Sequence, residues 1–212
     1  MIEVLSPYLA GFAAAYAILF VAASSPGPAV AYLLGVGNTL GRRAALITTL
    51  GIAVGSTTIN LLTLMGVGLL LSQAAWAMSL LKFAGSAYLL WLAYGSFRKV
   101  VHPPEVSAAA VAPASAWQCF LRGYALQVLN PKAIAFWLAI ASVGAVEGAG
   151  VFVVALFVIG AFVISLLIHG SWALALSAAP VRRAYAAGRR WIEAGLGVFM
   201  TFAAFKLATS ER

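Results

Sequence analysis

Lys132 stands where a lysine is costly. It lies in the stretch LNPKAIAFWLAI (129–140), inside an apolar run that begins near residue 117, so it sits roughly 20 Å along a helix rising about 1.5 Å per residue. An ionisable group at such depth points to substrate or ion binding. The two residues before it sharpen the chemistry. Pro131 removes a backbone donor and crowds the carbonyl four residues earlier, which interrupts the helix and frees polar groups that lipid cannot satisfy. Asn130 can cap the half-helix that restarts after the break. Free N–H groups, the positive end of a half-helix dipole and the full charge of Lys132 together make an anion site. The structural alternative is a lysine that snorkels along its stem or pairs with the freed carbonyls.

A second break of the same kind lies near the N-terminus. In SSPGPAV (24–30), Pro26, Gly27 and Pro28 interrupt the first apolar run, and its second half should begin near Pro28 with its N–H groups free. A substrate carboxylate suits two such converging ends. Polar residues elsewhere in the apolar runs are candidates for the rest of a ligand. Ser56, Thr57, Thr58 and Asn60 follow Gly51 and Gly55, whose small-xxx-small spacing lets two backbones approach closely. Ser56 and Asn60 are read as substrate contacts, with helix packing the alternative for the cluster. His169 and Glu193 are candidate proton carriers, although an interhelical hydrogen bond and an interfacial ion pair serve them equally well. Lys82 is read as snorkelling outward.

The elements that must position these residues are membrane helices. Of 212 residues, 64% are hydrophobic and 8% charged, and the mean hydropathy of +1.02 lies well outside the range of soluble domains. The net charge of +8 does not mark a nucleic-acid partner, because the basic residues cluster between apolar spans. Six spans are expected, at 8–34, 44–72, 75–97, 117–141, 150–177 and 191–208. The first, third and fifth connections carry Arg42 and Arg43, Arg98 and Lys99, and Arg182, Arg183, Arg189 and Arg190; those connections should face the cytoplasm and both termini the outside. The first apolar run has no Lys or Arg before it and is read as a mature span, not a cleaved signal. A Pro/Ala-rich cytoplasmic linker at 101–116 separates halves at 1–100 and 117–212.

The halves resemble each other. Aligning SPGPAVAYLLG (25–35) with NPKAIAFWLAI (130–140) pairs Pro26 with Pro131, and 29 residues then separate Pro26 from Gly55 and Pro131 from Gly160. FAGSAYL (83–89) matches EAGLGVF (193–199) and pairs Gly85 with Gly195. Three spans per half insert the second half upside down. The expected fold is therefore an all-α integral membrane protein of two inverted three-helix repeats with the first and fourth helices broken, the arrangement of secondary transporters.

Other classes fit less well. His169 and Ser171 are two apart on a helix and cannot form a dyad with each other, and neither G-x-S-x-G nor H-E-x-x-H occurs; an enzyme is not expected. Cys119 is the only cysteine, which leaves no internal disulfide or cysteine metal cluster. No cofactor is expected. A passive channel or a structural membrane subunit would share the topology but gives no reason for paired breaks. Small-residue stripes facing the membrane lipids permit a homodimer.

The motifs SPGPAV, GRRAALITTLGIAVG, KFAGSAYLLWLAYGSFR and LNPKAIAFW, in this order, resemble the lysine exporter family, the LysE/RhtB-type amino-acid efflux proteins. The likeness runs from about residue 24 to 141 and is weaker beyond. It implies a bacterial inner-membrane exporter of a small amino acid or derivative, driven by the proton gradient and without a nucleotide-binding domain; the chain has no phosphate loop. Two positions depart from the family pattern. Ser56 stands where members often carry Asp, and ASVGAV (141–146) stands where they end the fourth span in an aromatic PQF-like run. Without that Asp a strongly cationic substrate such as lysine is disfavoured.

Overall fold

Every residue that precedes a proline in the two motifs is forced out of the helical region, and the backbone breaks there. The computed structural model describes residues 2–73, 75–102 and 111–209, and the side chains of these except 2, 3, 67–73, 75–78, 81, 82 and 182. The side chain of Lys82 and half of the expected linker, residues 103–110, lie outside what is described. The elements are α1 (Ile2–Leu5), a 3-10 turn (Ser6–Tyr8), α2 (Leu9–Ser24), α3 (Pro28–Thr39), α4 (Gly41–Gln73), α5 (Ala75–Val101), α6 (Ala116–Val128), α7 (Pro131–Ala141), α8 (Val151–Ala175) and α9 (Ala179–Thr209), with no strand among the described residues. At the first break Ser25 has ψ 132° and Gly27 is fully extended at φ −164°. At the second, Asn130 is extended at φ −79° and ψ 109°, and α6 and α7 meet at 59°. Prolines 28 and 131 each take the first helical position, where a missing N–H costs nothing.

The stretches 6–24, 41–66, 151–175 and 179–209 are long and apolar enough to cross a membrane, and the bent α6–α7 pair makes a fifth if it counts as one span. The remaining expected span falls on α5, 27 residues long, which does not meet the same criterion over its described part. The expectation of six spans is thus met in four or five. The last helix also starts at 179 instead of 191. Its RRAYAAGRR stretch was read as loop for its charge, but Arg and Ala are strong helix formers and the charged turns extend the helix.

Two apolar clusters hold α7 from opposite sides. Ala133, Trp137 and Ile140 pack with Ala15 and Leu19 of α2, Ile59 of α4 and Phe157 of α8; Phe136 and Ala139 pack with Leu89 and Ala93 of α5 and Met200 and Ala204 of α9. The spacing of each set follows the helical period, so the orientation of α7, and with it Lys132, is fixed on both faces.

The glycines paired by the sequence alignment behave alike in one case and not in the other. Gly55 on α4 lies against Gln127 and Tyr124 of α6, and Gly160 on α8 lies against Tyr16 of α2: each middle helix meets the first helix of the other half. Gly85 packs on Leu207 and Ala139, whereas Gly195 has nothing within 4 Å of a would-be Cβ. The expected close approach at Gly51 is present. A Cβ there would collide with the Phe120 carbonyl and come within 2.9 Å of the Tyr124 nitrogen, and one on Gly123 of α6 would strike the Thr48 carbonyl. α4 and α6 therefore touch backbone to backbone. Gly51→Ala should cost about 1–3 kcal/mol of stability by overpacking, read as a lowered Tm of the detergent-solubilised protein, while Gly66→Ala, with nothing within 4 Å, should leave Tm unchanged.

Candidate functional site

The two breaks meet. Lys132 is half-buried on the first turn of α7, and its Nζ donates to the Ser25 carbonyl at 3.0 Å and to the Ser25 hydroxyl. Ser25 caps the C-terminal end of α2, where unpaired carbonyls carry the negative pole of the helix and attract a cation. The hydroxyl of Ser25 in turn donates to the Ala22 carbonyl at 2.9 Å. Asn130 accepts from the Lys132 backbone N–H at 3.1 Å and so caps α7, as its position before the proline suggested. Gly27 has no side chain with which to cap α3, and a Cβ there would sit 3.1 Å from Lys132 Nζ.

This contact separates two cavities. The inner one, about 40 Å³, is bordered by Ser25, Gly27, Pro28, Asn130 and Lys132 and closed by Ser56, Gln127, Phe136, Trp137 and His169. The outer one, about 330 Å³, shares those five bordering residues and adds Pro26, Pro131, Tyr88, Trp91, Tyr94, Arg98 and Lys99. Lys132 therefore has access to both. Among the described residues no Asp or Glu lines either cavity.

The remaining candidates are placed as follows. Ser56 is buried in the inner cavity and its hydroxyl accepts from Trp137 Nε1 at 3.0 Å. Asn60, one turn further along α4, is buried away from both cavities, and its Nδ2 has no hydrogen-bond partner. His169 lines the inner cavity; its Nδ1 lies 2.9 Å from the Ser165 carbonyl of the same helix, a bond within α8 and not between helices. Ser171 donates to the Leu167 carbonyl at 2.7 Å, so the two do not pair with each other. Glu193 forms an ion pair with Lys99 at 3.5 Å, but the carboxylate is 1% exposed and the lysine 39%. The pair links α5 and α9, and among the described residues neither carboxylate oxygen receives a hydrogen bond.

Sequence reading missed Ser25, Gln127, Trp137 and Lys99. Ser25 and Gln127 carried a usable signal, since each is a polar residue within five positions of a proline break. Trp137 carried none, because an aromatic on an apolar helix reads as core.

Comparison with known proteins places this arrangement in a family. The chain is 29% identical over 193 residues to the threonine efflux protein of Escherichia coli (strain K12), covering 87% of this chain and 90% of that one. It is 36% identical over 142 residues to the chemotactic transduction protein ChpE of Pseudomonas aeruginosa, covering 66% and 68%, and 32% identical over 120 residues to the uncharacterized membrane protein YahN of Escherichia coli, covering 56% and 53%. No solved structure matches. The family model of the LysE type translocator matches residues 19–211, which extends the likeness seen in the first four spans through α8 and α9, and the chain belongs to that family.

Proposed function

We propose that this protein is a secondary transporter that exports a small amino acid or amino-acid derivative across the bacterial inner membrane, by alternating access and coupled to protons. The observation that carries this reading is the position of Lys132: one cation, held by the broken end of α2, on the border between a tight inner cavity and a wide outer one. The printed activity of the threonine efflux relatives supports an amino acid as the substrate.

On this reading Arg98 and Lys99 mark the outer cavity as the cytoplasmic entrance and draw an anionic group inward. The substrate carboxylate takes Lys132 from Ser25, exchanging a neutral acceptor for a charged one. The uncapped first turn of α3 and Asn130 complete the anion site, with Pro26, Gly27, Pro28 and Pro131 shaping it. Ser56 faces the bound substrate, and Asn60 joins it when the helices rearrange. The repeats rock about this point in the manner of inverted-repeat carriers; support comes from the parallel seats of Gly55 and Gly160 and from the packing of α5 against α9. A passive channel would have no use for so narrow a cavity beside Lys132.

Proton coupling is assigned to Glu193, with His169 as the second candidate. Glu193 is a buried carboxylate whose described partner is the more exposed Lys99, an arrangement that compensates a buried charge poorly and favours exchange of a proton.

Cells loaded with labelled amino acids should export at least one faster with the intact protein than with an empty vector. Lys132→Ala should bring that export to the empty-vector level while the protein still reaches the membrane; normal export by the variant would remove the site. In proteoliposomes, Glu193→Gln should retain exchange of substrate for substrate but lose the stimulation that a pH gradient gives the intact protein. Retained stimulation would shift coupling to His169 and should then disappear in His169→Gln.

A further inference from the structure

Resting on the transport reading above, we infer that the inner cavity receives the substrate's ammonium group, and that two uncharged acceptors, His169 Nε2 and Gln127 Oε1, hold it opposite the carboxylate site at Lys132. The protein would thereby select zwitterions of single positive charge and reject both cationic amino acids and simple carboxylic acids.

Four observations converge. The Ser165 carbonyl can only accept, so the 2.9 Å contact fixes the proton on His169 Nδ1 and leaves Nε2 of the neutral ring as an acceptor. Among the described residues the hydrogen bonds of that ring run through Nδ1. Gln127 is 5% exposed and lines the same cavity, and its Oε1 is buried with no hydrogen-bond partner; a buried acceptor left unpaired calls for a donor. The cavity volume of about 40 Å³ suits an ammonium group, since a single water needs roughly 10–15 Å³ of such space, but not a whole amino acid. The outer cavity, about 330 Å³, takes the side chain. Finally, among the described residues no carboxylate lines either cavity while Arg98 and Lys99 line the outer one, so a cationic side chain would meet like charge there.

The test uses the full chain in proteoliposomes, measuring exchange of labelled L-threonine and its inhibition by unlabelled L-threonine, by 3-hydroxybutyrate (the same molecule with hydrogen in place of the amino group) and by L-lysine. If the panel identifies another amino acid, that compound and its own deaminated acid replace the first two. The intact protein should prefer the amino acid to the deaminated acid by roughly 10- to 100-fold, as loss of hydrogen bonds to a charged group implies. Gln127→Met and His169→Phe should each weaken the amino acid by roughly 10-fold and leave the deaminated acid within about 2-fold. Gln127→Glu should raise the preference above that of the intact protein, since a charged acceptor replaces a neutral one, and L-lysine should fail to inhibit the intact protein, whose outer cavity carries Arg98 and Lys99; inhibition by it would overturn the selectivity. Preference that survives both apolar variants, or equal weakening of both ligands, would overturn the assignment while exchange by the intact protein keeps the transport reading. If the apolar variants fail to fold, Gln127→Glu decides alone: a raised preference for the amino acid over the deaminated acid supports the assignment, and an unchanged preference overturns it. Absence of exchange for every labelled amino acid would instead overturn the transport reading, and this inference with it.

Discussion

The structure turns on the backbone carbonyl of Ser25. A helix end inside an apolar layer exposes polar groups that must find partners within the protein, and here one break supplies the partner for the other. Lys132, on the first turn of α7, donates to the carbonyl that ends α2. The bond cancels two liabilities at once, an unpaired carbonyl and a buried cation. Neither break is tenable alone, and α7 is clamped between two apolar clusters so that the lysine reaches its acceptor.

The same economy explains why a ligand at this point can move helices. In the proposed cycle a carboxylate that captures Lys132 leaves the end of α2 without its cation. Binding then weakens one tie between the halves while it forms another to the substrate. A ligand shifts a conformational equilibrium only through differential affinity for the two states, and the Lys132 to Ser25 contact is a place where such a difference arises. The backbone contact of α4 with α6 through Gly51 and Gly123 supplies the opposite property, a rigid seam that does not open readily.

The breaks were legible in the sequence because proline chemistry is local. Ser25, Gly27 and Asn130 are extended for a reason contained in the next residue, and the glycine spacing that tied Gly55 to Gly160 needed no three-dimensional information. The start of α9 was misread because charge was taken to exclude helix, although a cationic helix end can leave the apolar layer intact. Gln127 and Trp137 were not legible, since whether an amide or an indole faces a cavity depends on which helix packs against it. Glu193 was half legible. Its pairing with a cation could be anticipated, but its burial is set by the contact between α5 and α9, distant in sequence.

The proposed repeat accounts for a feature that symmetry would seem to forbid, a lysine at only one of the two motifs. The alignment that pairs Pro26 with Pro131 places Gly27 opposite Lys132. Two lysines at these positions would bring like charges together in a region of low dielectric, where repulsion at contact distance is large. Gly27 removes that conflict and does more: the space its absent side chain leaves is the space the lysine uses, for a Cβ would stand 3.1 Å from Nζ and 3.4 Å from Cδ. The restarted helices are likewise two residues out of register with the aligned prolines, because Pro28 and not Pro26 opens α3. The first half thus gives up its cap and its charge to become the socket, and the second half keeps both as the plug. In the proposed repeat the two motifs differ where they touch, at the Gly27 to Lys132 contact.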